Sequence, residues 1–333
     1  MSPLGQTRSV PPPIKPIIKK KVDAKPINKP SSCLLPRASS APLRVVAAVG
    51  ACTMQNARPH QEDTNTAHDP IYFGGKLYLA VCDGHGGARV AKFITSNFRA
   101  YLLSNDGDVQ AALAALNTAV LKEDYAMKSG STCIVAEIAP GFVHFYNVGD
   151  SRGIVVDSSS SKVVMASKDH KPTDPLERKR INDAGGTVGP YPGHNIRRLK
   201  ENNARRSSGT PEDKLQKEED LAQYLSDGVH YLGPSRSLGD GRINPKVLSS
   251  KAEKTTLVRD LNGKVVILAT DGLWDVFDND TVAKLSARLL AQGRTKHNLS
   301  DSECAGMIAR CLAKMAAKQG SGDNVTVVAV VLA

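Results

Sequence analysis

The chain has 333 residues, 41% apolar and 23% charged, with a formal net charge of +11. This suits one large or two small globular domains with a full core. No stretch reaches the ~18 uninterrupted apolar residues of a membrane span, no secretory apolar segment follows Met1, and six cysteines without a CxxC pair point to a reducing compartment.

Residues 1–44 contain nine prolines and six serines, and residues 1–50 hold nine Lys/Arg against the single acid Asp23. That segment carries +8, so the rest of the chain is nearly neutral and lacks the basic stripe of a nucleic-acid binder. Too little of it is apolar to offset its ordering entropy, which predicts a disordered basic tail over 1–44. An organellar transit peptide is the alternative, although the prolines oppose the amphipathic helix of a mitochondrial signal. The expected location is intracellular, in cytoplasm or nucleus, or in an organelle if 1–44 is a targeting segment.

From Arg44 onward, short β-rich runs take over: LRVVAAVGA (43–51), GKLYLAVCD (75–83), TCIVAEIA (132–139), FVHFYNVGD (142–150), RGIVVDS (152–158), KVVILATD (264–271) and NVTVVAVVL (324–332). Helical spacing marks 87–103, 109–127 and 176–185, and 280–318 reads as two helices broken near Gly293. Hairpin-spaced strands with a few helical blocks predict an antiparallel sandwich flanked by helices, not a βαβ alternation. Residues 193–229 form a hydrophilic interlude with seven Lys/Arg and seven Asp/Glu. A loop this long in a compact domain is normally functional or mobile, and its second half (211–226) is read as a short exposed helix. RRSS (205–208) resembles a basophilic-kinase site, with an unregulated solvated loop as the preferred reading.

The chemistry lies at the strand ends. KLYLAV stops at Asp83-Gly84, FVHFYNV at Gly149-Asp150, and KVVILAT at Asp271-Gly272, with Asp275 one turn later. NVTVVAVVL starts after Asp323, and ARPHQEDT supplies Glu62-Asp63 before another strand. One Asp-Gly is a common turn. Acids at five strand ends, if they converge, demand a compensating cation, and oxygen-only ligands select Mg²⁺ or Mn²⁺ over zinc. Spacing alone leaves turn and site both open.

The motifs, taken together, resemble the PP2C (PPM) family of metal-dependent protein serine/threonine phosphatases across about 45–333. In order they are MQNARPHQED (54–63), VCDGHGG (81–87), SGST (129–132), NVGDSR (147–152), DHKP with ERKRINDAGG (169–186), SRSLGD (235–240), ATDGLWDV (269–276) and SGDNVTV (321–327). The resemblance implies an α+β fold, a four-layer α-β-β-α sandwich of two antiparallel sheets flanked by helices. It also implies two Mg²⁺ or Mn²⁺ ions, with Asp83 bridging them. Asp271 and Asp323 would complete one, and Glu62 with the Gly84 carbonyl the other. Asp150 and Asp275 match a weaker third site, and Asp63 joins the metal-site acids as a support for its neighbours. Arg58 matches the phosphate-binding arginine and His85 the general acid; Asn324, Thr132 and Asp240 match supporting positions, and His170 a structural one. Substrates would be phosphoproteins, with no nucleic acid, no membrane span and a monomeric state expected.

Two departures stand out. Gly186 and Ser235 are 49 residues apart, which implies an enlarged flap insertion at about 190–230. Pro234 stands where an aliphatic residue is usual, so strand pairing should differ there. A catalytically weak or inactive binding protein of the same fold is the alternative reading, and a two-metal nuclease a more distant one.

Overall fold

The computed structural model describes residues 47–190, 223–258 and 260–332. The expected tail, the RRSS stretch and most of the hydrophilic interlude lie outside the described residues.

In chain order the elements are β1 (Ala47–Met54), β2 (Thr64–Asn65), β3 (Ile71–Phe73), β4 (Lys76–Cys82), β5 (Gly84–His85), α1 (Arg89–Ser104) and α2 (Val109–Val120). Then follow β6 (Gly130–Ser131), β7 (Cys133–Ala139), β8 (Phe142–Val148), β9 (Arg152–Asp157), β10 (Lys162–Ala166), α3 (Pro175–Asp183), β11 (Thr187–Pro190), β12 (Gln223–Ser226) and β13 (Tyr231–Leu232). The last are β14 (Leu238–Gly239), β15 (Glu253–Val258), β16 (Lys264–Ala269), α4 (Asp271–Trp274), α5 (Asn279–Lys296), α6 (Asp301–Lys318) and β17 (Val325–Leu332).

Two antiparallel sheets form the centre, one ordered β1-β17-β16-β9-β10 and the other β15-β8-β7-β4-β2, with β3 also on β4. Period-two alternation lets each strand serve two apolar layers. Leu77, Leu79 and Val81 of β4 share one buried cluster with Val266 and Leu268 of β16 and Val328 and Val330 of β17, so these faces meet between the sheets. Tyr78, Ala80 and Cys82 point the other way, onto Ile94 and Phe98 of α1 and Leu113 and Leu116 of α2. Val265 and Ile267 likewise pack on Val282 and Leu290 of α5 and Ile308 and Leu312 of α6. Each fully buried Leu, Ile or Phe contributes about 1.5–3 kcal/mol of transfer free energy. The result is the expected four-layer α-β-β-α sandwich.

Three readings need correction. The break within 280–318 is at His297–Ser300, not at Gly293, which lies inside α5. A Cβ on Gly293 would sit 2.6 Å from the Cys304 sulfur, so this glycine lets α5 and α6 approach closely. Ser300 and Glu303 form a reciprocal capping box that starts α6. The helix read over 109–127 ends at Val120, with a 3₁₀ turn at Asp124–Met127. Within the helix read over 211–226, Gln223–Ser226 is strand β12, paired with β11 and β13 in a small separate sheet. No described helix is long and apolar enough to cross a membrane, and the described cysteines are free thiols.

Candidate active site

Antiparallel pairing brings the acids to one edge. Cys133 at the start of β7 faces Val148 at the end of β8, while Ile134 faces Val81 on β4. Asp83, Thr132 and Asp150 therefore leave the second sheet together. In the first sheet Ala269 faces Val327, so Asp271 after β16 and Asp323 before β17 emerge side by side. The two edges meet at a cleft of about 550 Å³ whose lining includes Glu62, Asp83, Gly84, Asp150, Asp271 and Asp323. Gly84 sits against the Glu62 backbone: an added Cβ would lie 2.6 Å from the Glu62 carbonyl oxygen.

These carboxylates repel one another in a poorly hydrated place. Burial first, then Asp271, Asp63 and Asp150, hold Asp83 well above the ordinary carboxylate range. Burial, then Asp150, Asp275 and Asp323, does the same to Asp271. Asp150 is pushed up to about 6 by burial, with Lys171 opposing the rise and Asp169 and Asp275 adding to it. Asp63, 4% exposed, lies behind the cleft rather than in its lining. It accepts a hydrogen bond from Thr270 Oγ1 at 3.0 Å, its Oδ1 has no partner, and burial is the main cause that lifts it to about 7.

Such a site is unfavourable without a cation. The donors are all oxygens, which suits a hard divalent ion. Among the described residues no three acidic, histidine or cysteine side chains are already drawn into a closed cage around one point. The acids are neighbours in one cleft rather than a finished coordination shell. Asp275 lies outside the cleft lining, with its side chain 60% exposed, and points to Lys171 Nζ at 3.5 Å. That ammonium is also 3.9 Å from Asp150 Oδ2.

The other predicted residues surround this floor. Arg58 pairs through Nη2 with Asp323 Oδ2, and its side chain remains 54% exposed at the cleft. Burial is the largest single influence and lowers its pKa, but Asp323, helped by Asp271 and Asp83, outweighs it and raises the pKa above the ordinary value. His85 lines the cleft and meets Asp240 Oδ2 through Nε2 at 2.8 Å. Burial opposes an imidazolium there, yet Asp240 prevails and the His85 pKa is raised. Asn324 ties down the Arg58 loop: its Oδ1 accepts from the Glu62 N–H, and its amide donates to the Gln55 and His60 carbonyls. Thr132 Oγ1 accepts from the Asp83 N–H at 3.3 Å and lies 2.7 Å from Ser151 Oγ, a shaping role. His170 is fully buried; its Nδ1 accepts from the Gly149 N–H, and its Nε2 is 3.3 Å from Glu253.

Sequence reasoning missed three groups. Lys171, within DHKP, supplies a fixed positive charge beside Asp150 and Asp275. Glu177 looks like an ordinary helix acid in ERKR, yet it is 3% exposed and holds Arg180, Arg236 and Ser235 together. Tyr224, Leu232 and Pro234 form an apolar wall of the cleft, which only the strand pairing of β12 and β13 reveals. Pro234 lies two residues past the end of β13, and the chain next to it is held by the Ser235 N–H donating to the His170 carbonyl.

The family model for protein phosphatase 2C matches residues 47–325. "Probable protein phosphatase 1N" of Mus musculus is 30% identical over 291 residues, 83% of this chain and 63% of that protein. "Protein phosphatase 1B" of Mus musculus is 28% identical over 307 residues, 84% of this chain and 69% of that protein. The chain thus spans about two thirds of these relatives. A solved sex determining protein of C. elegans superposes with a TM-score of 0.65 at 22% identity, covering 86% of this chain and 64% of that one. A phosphatase from a pathogenic strain of Toxoplasma gondii also gives 0.65, at 19% identity, covering 87% and 93%. At these identities the two structures share the fold.

Proposed function

The chain belongs to the protein phosphatase 2C family, and on that premise we propose that it hydrolyses phosphoserine and phosphothreonine in proteins with Mg²⁺ or Mn²⁺. The observation that carries this reading is the convergence of Glu62, Asp83, Asp271 and Asp323 in one cleft with Arg58 and His85.

Asp83, Asp271, Asp323, Glu62 and the Gly84 carbonyl would hold two ions, with Asp150 and Asp275 beside a third. When bound, such ions neutralise the acids and supply an activated water and Lewis acidity. The chain's own residues do the remainder. Arg58 presents a guanidinium that stays charged at any working pH and forks onto phosphate oxygens. His85 carries a proton to the departing Ser or Thr oxygen, a task suited to imidazole near neutrality. The wall of Tyr224, Leu232 and Pro234 excludes water from one side of the substrate and receives its apolar parts.

The test is hydrolysis of a phosphothreonine peptide with Mn²⁺, with EDTA, and by the Asp271→Asn variant. Turnover that requires Mn²⁺ and is lost in the variant supports the reading. Turnover that survives both EDTA and the substitution overturns it. No turnover with Mn²⁺ would place the chain among binding proteins of this fold.

A further inference from the structure

Among the described residues, one three-stranded sheet is built from β14, β6 and β5, each two residues long. Gly130 of β6 is its centre: it faces His85 on one side and Gly239 on the other. His85 and Asp240 therefore stand on opposite sides of a residue without a side chain, and their side chains meet over it at 2.8 Å. A Cβ on Gly130 would come within 2.5 Å of His85 Nε2, and closer still to Asp240 Oδ2. The contact exists because Gly130 leaves the space open.

Asp240 is fixed from every side. Its backbone takes a left-handed conformation, φ 52°, which costs a non-glycine residue some energy and which Asp tolerates better than most. Its N–H donates to the Ser129 carbonyl, and its own carbonyl accepts from the Ile243 N–H. Ser237 Oγ donates to the same Oδ2 that meets His85. The preceding Gly239 N–H donates to Asn117 Oδ1 on α2. The carboxylate is 7% exposed and accepts only, so the ring nitrogen facing it must carry hydrogen.

We infer that Asp240 is a positioning residue for His85: across Gly130 it accepts the Nε2–H and holds the ring in one orientation, leaving Nδ1 as the nitrogen that carries the proton to be delivered. This rests on the proposed role of His85 as proton donor. It adds the partner that fixes the donor and assigns a purpose to the glycine of SGST. Holding a catalytic imidazole through its second nitrogen selects tautomer and direction together.

The experiment compares kcat/KM for a phosphothreonine peptide, a poor leaving group, with that for p-nitrophenyl phosphate, an activated one. The Mg²⁺-loaded protein is used, with His85→Ala, Asp240→Asn, Ser237→Ala, Gly130→Ala and the double variant His85→Ala/Asp240→Asn. General-acid catalysis is worth ~10²–10⁴-fold. Asp240→Asn should therefore lose at least ~10-fold on the peptide, much less on the aryl phosphate, and nothing more in the His85→Ala background. Gly130→Ala should reproduce the loss with both side chains present, and Ser237→Ala should move the same way by less. Equal losses on both substrates for Asp240→Asn, or an undiminished loss in the His85→Ala background, overturn the inference. Should His85→Ala itself lose equally on both substrates, the donor role proposed above fails. Positioning is then decided by ¹⁵N spectra of the His85 ring. With the ring titrated to its neutral form, hydrogen kept on Nε2 in the wild type but shared between both nitrogens in Asp240→Asn and Gly130→Ala supports it; an unchanged distribution overturns it.

Discussion

Arg58 and Asp323, 265 residues apart in the chain, meet in an ion pair at the cleft. The arginine is thus anchored by an acid that also belongs to the floor, and the remainder of its guanidinium stays open to a phosphate. Arg58→Ala should raise the KM for phosphopeptide and the inhibition constant of inorganic phosphate by about 10-fold or more, the scale of one charge-assisted hydrogen bond. Arg58→Lys should recover only part of this, because a lysine cannot fork. Steady-state kinetics with phosphate as inhibitor measures both.

Asp271 is half-buried at the cleft, and its pKa is raised by burial first and then by Asp150, Asp275 and Asp323. Asp271→Asn removes one of these repelling charges. In EDTA the variant should melt at or above the wild-type temperature, while the rise in melting temperature on adding Mn²⁺ should shrink, since ligands stabilise by mass action. Calorimetry with and without Mn²⁺ reads the two effects separately. A variant that melts lower in EDTA and keeps the full Mn²⁺ response contradicts the assignment of repulsion to this cluster.

Glu177 predicts an acid-sensitive joint. Burial alone would raise its pKa, but hydrogen bonds from Arg236, Arg180 and Ser235 outweigh burial and hold it at about 2. A lowered folded value stabilises the protein above the unfolded pKa and loses that contribution as pH falls from about 4.5 toward 2. The span corresponds to about 3 kcal/mol at ~1.4 kcal/mol per unit. Glu177→Gln should be less stable than wild type at pH 7 and converge with it toward pH 2. Urea unfolding across that range tests the convergence.

Gly84 lies too close to the Glu62 carbonyl for any side chain. Gly84→Ala keeps the carbonyl that would face an ion, yet it must push the Glu62 backbone aside. Mn²⁺ affinity by titration calorimetry should fall by ~10-fold or more, the scale seen when groups orienting a metal ligand are disturbed. Unfolding in EDTA should change far less, because the floor of the cleft is not part of the main core.

What could be read from the sequence was what is local. Apolar alternation in KLYLAV and KVVILAT marks strands, and the acid that ends each run must lie at a sheet edge. Antiparallel pairing then decides which edges coincide, and no single run states that. Lys171 and Glu177 escaped notice because their partners are distant in the chain: Lys171 faces Asp275, and Glu177 faces Arg236. Gly293 was read as a helix break because glycine weakens an isolated helix. Its actual constraint is the sulfur of Cys304 on the neighbouring helix, which enters no helix-propensity argument.

The apolar wall stands on a sheet of its own. β11, β12 and β13 share no strand with the two large sheets whose ends bear the acids. Leu225, on β12, packs with Ile181, Ile243, Val247 and Leu248 in a cluster separate from the three apolar clusters between the layers of the sandwich. The proposed substrate wall and the acids therefore rest on separate sheets of this fold. If the wall receives substrate as proposed, Tyr224, Leu232 and Pro234 can be exchanged without altering the strands that carry the acids.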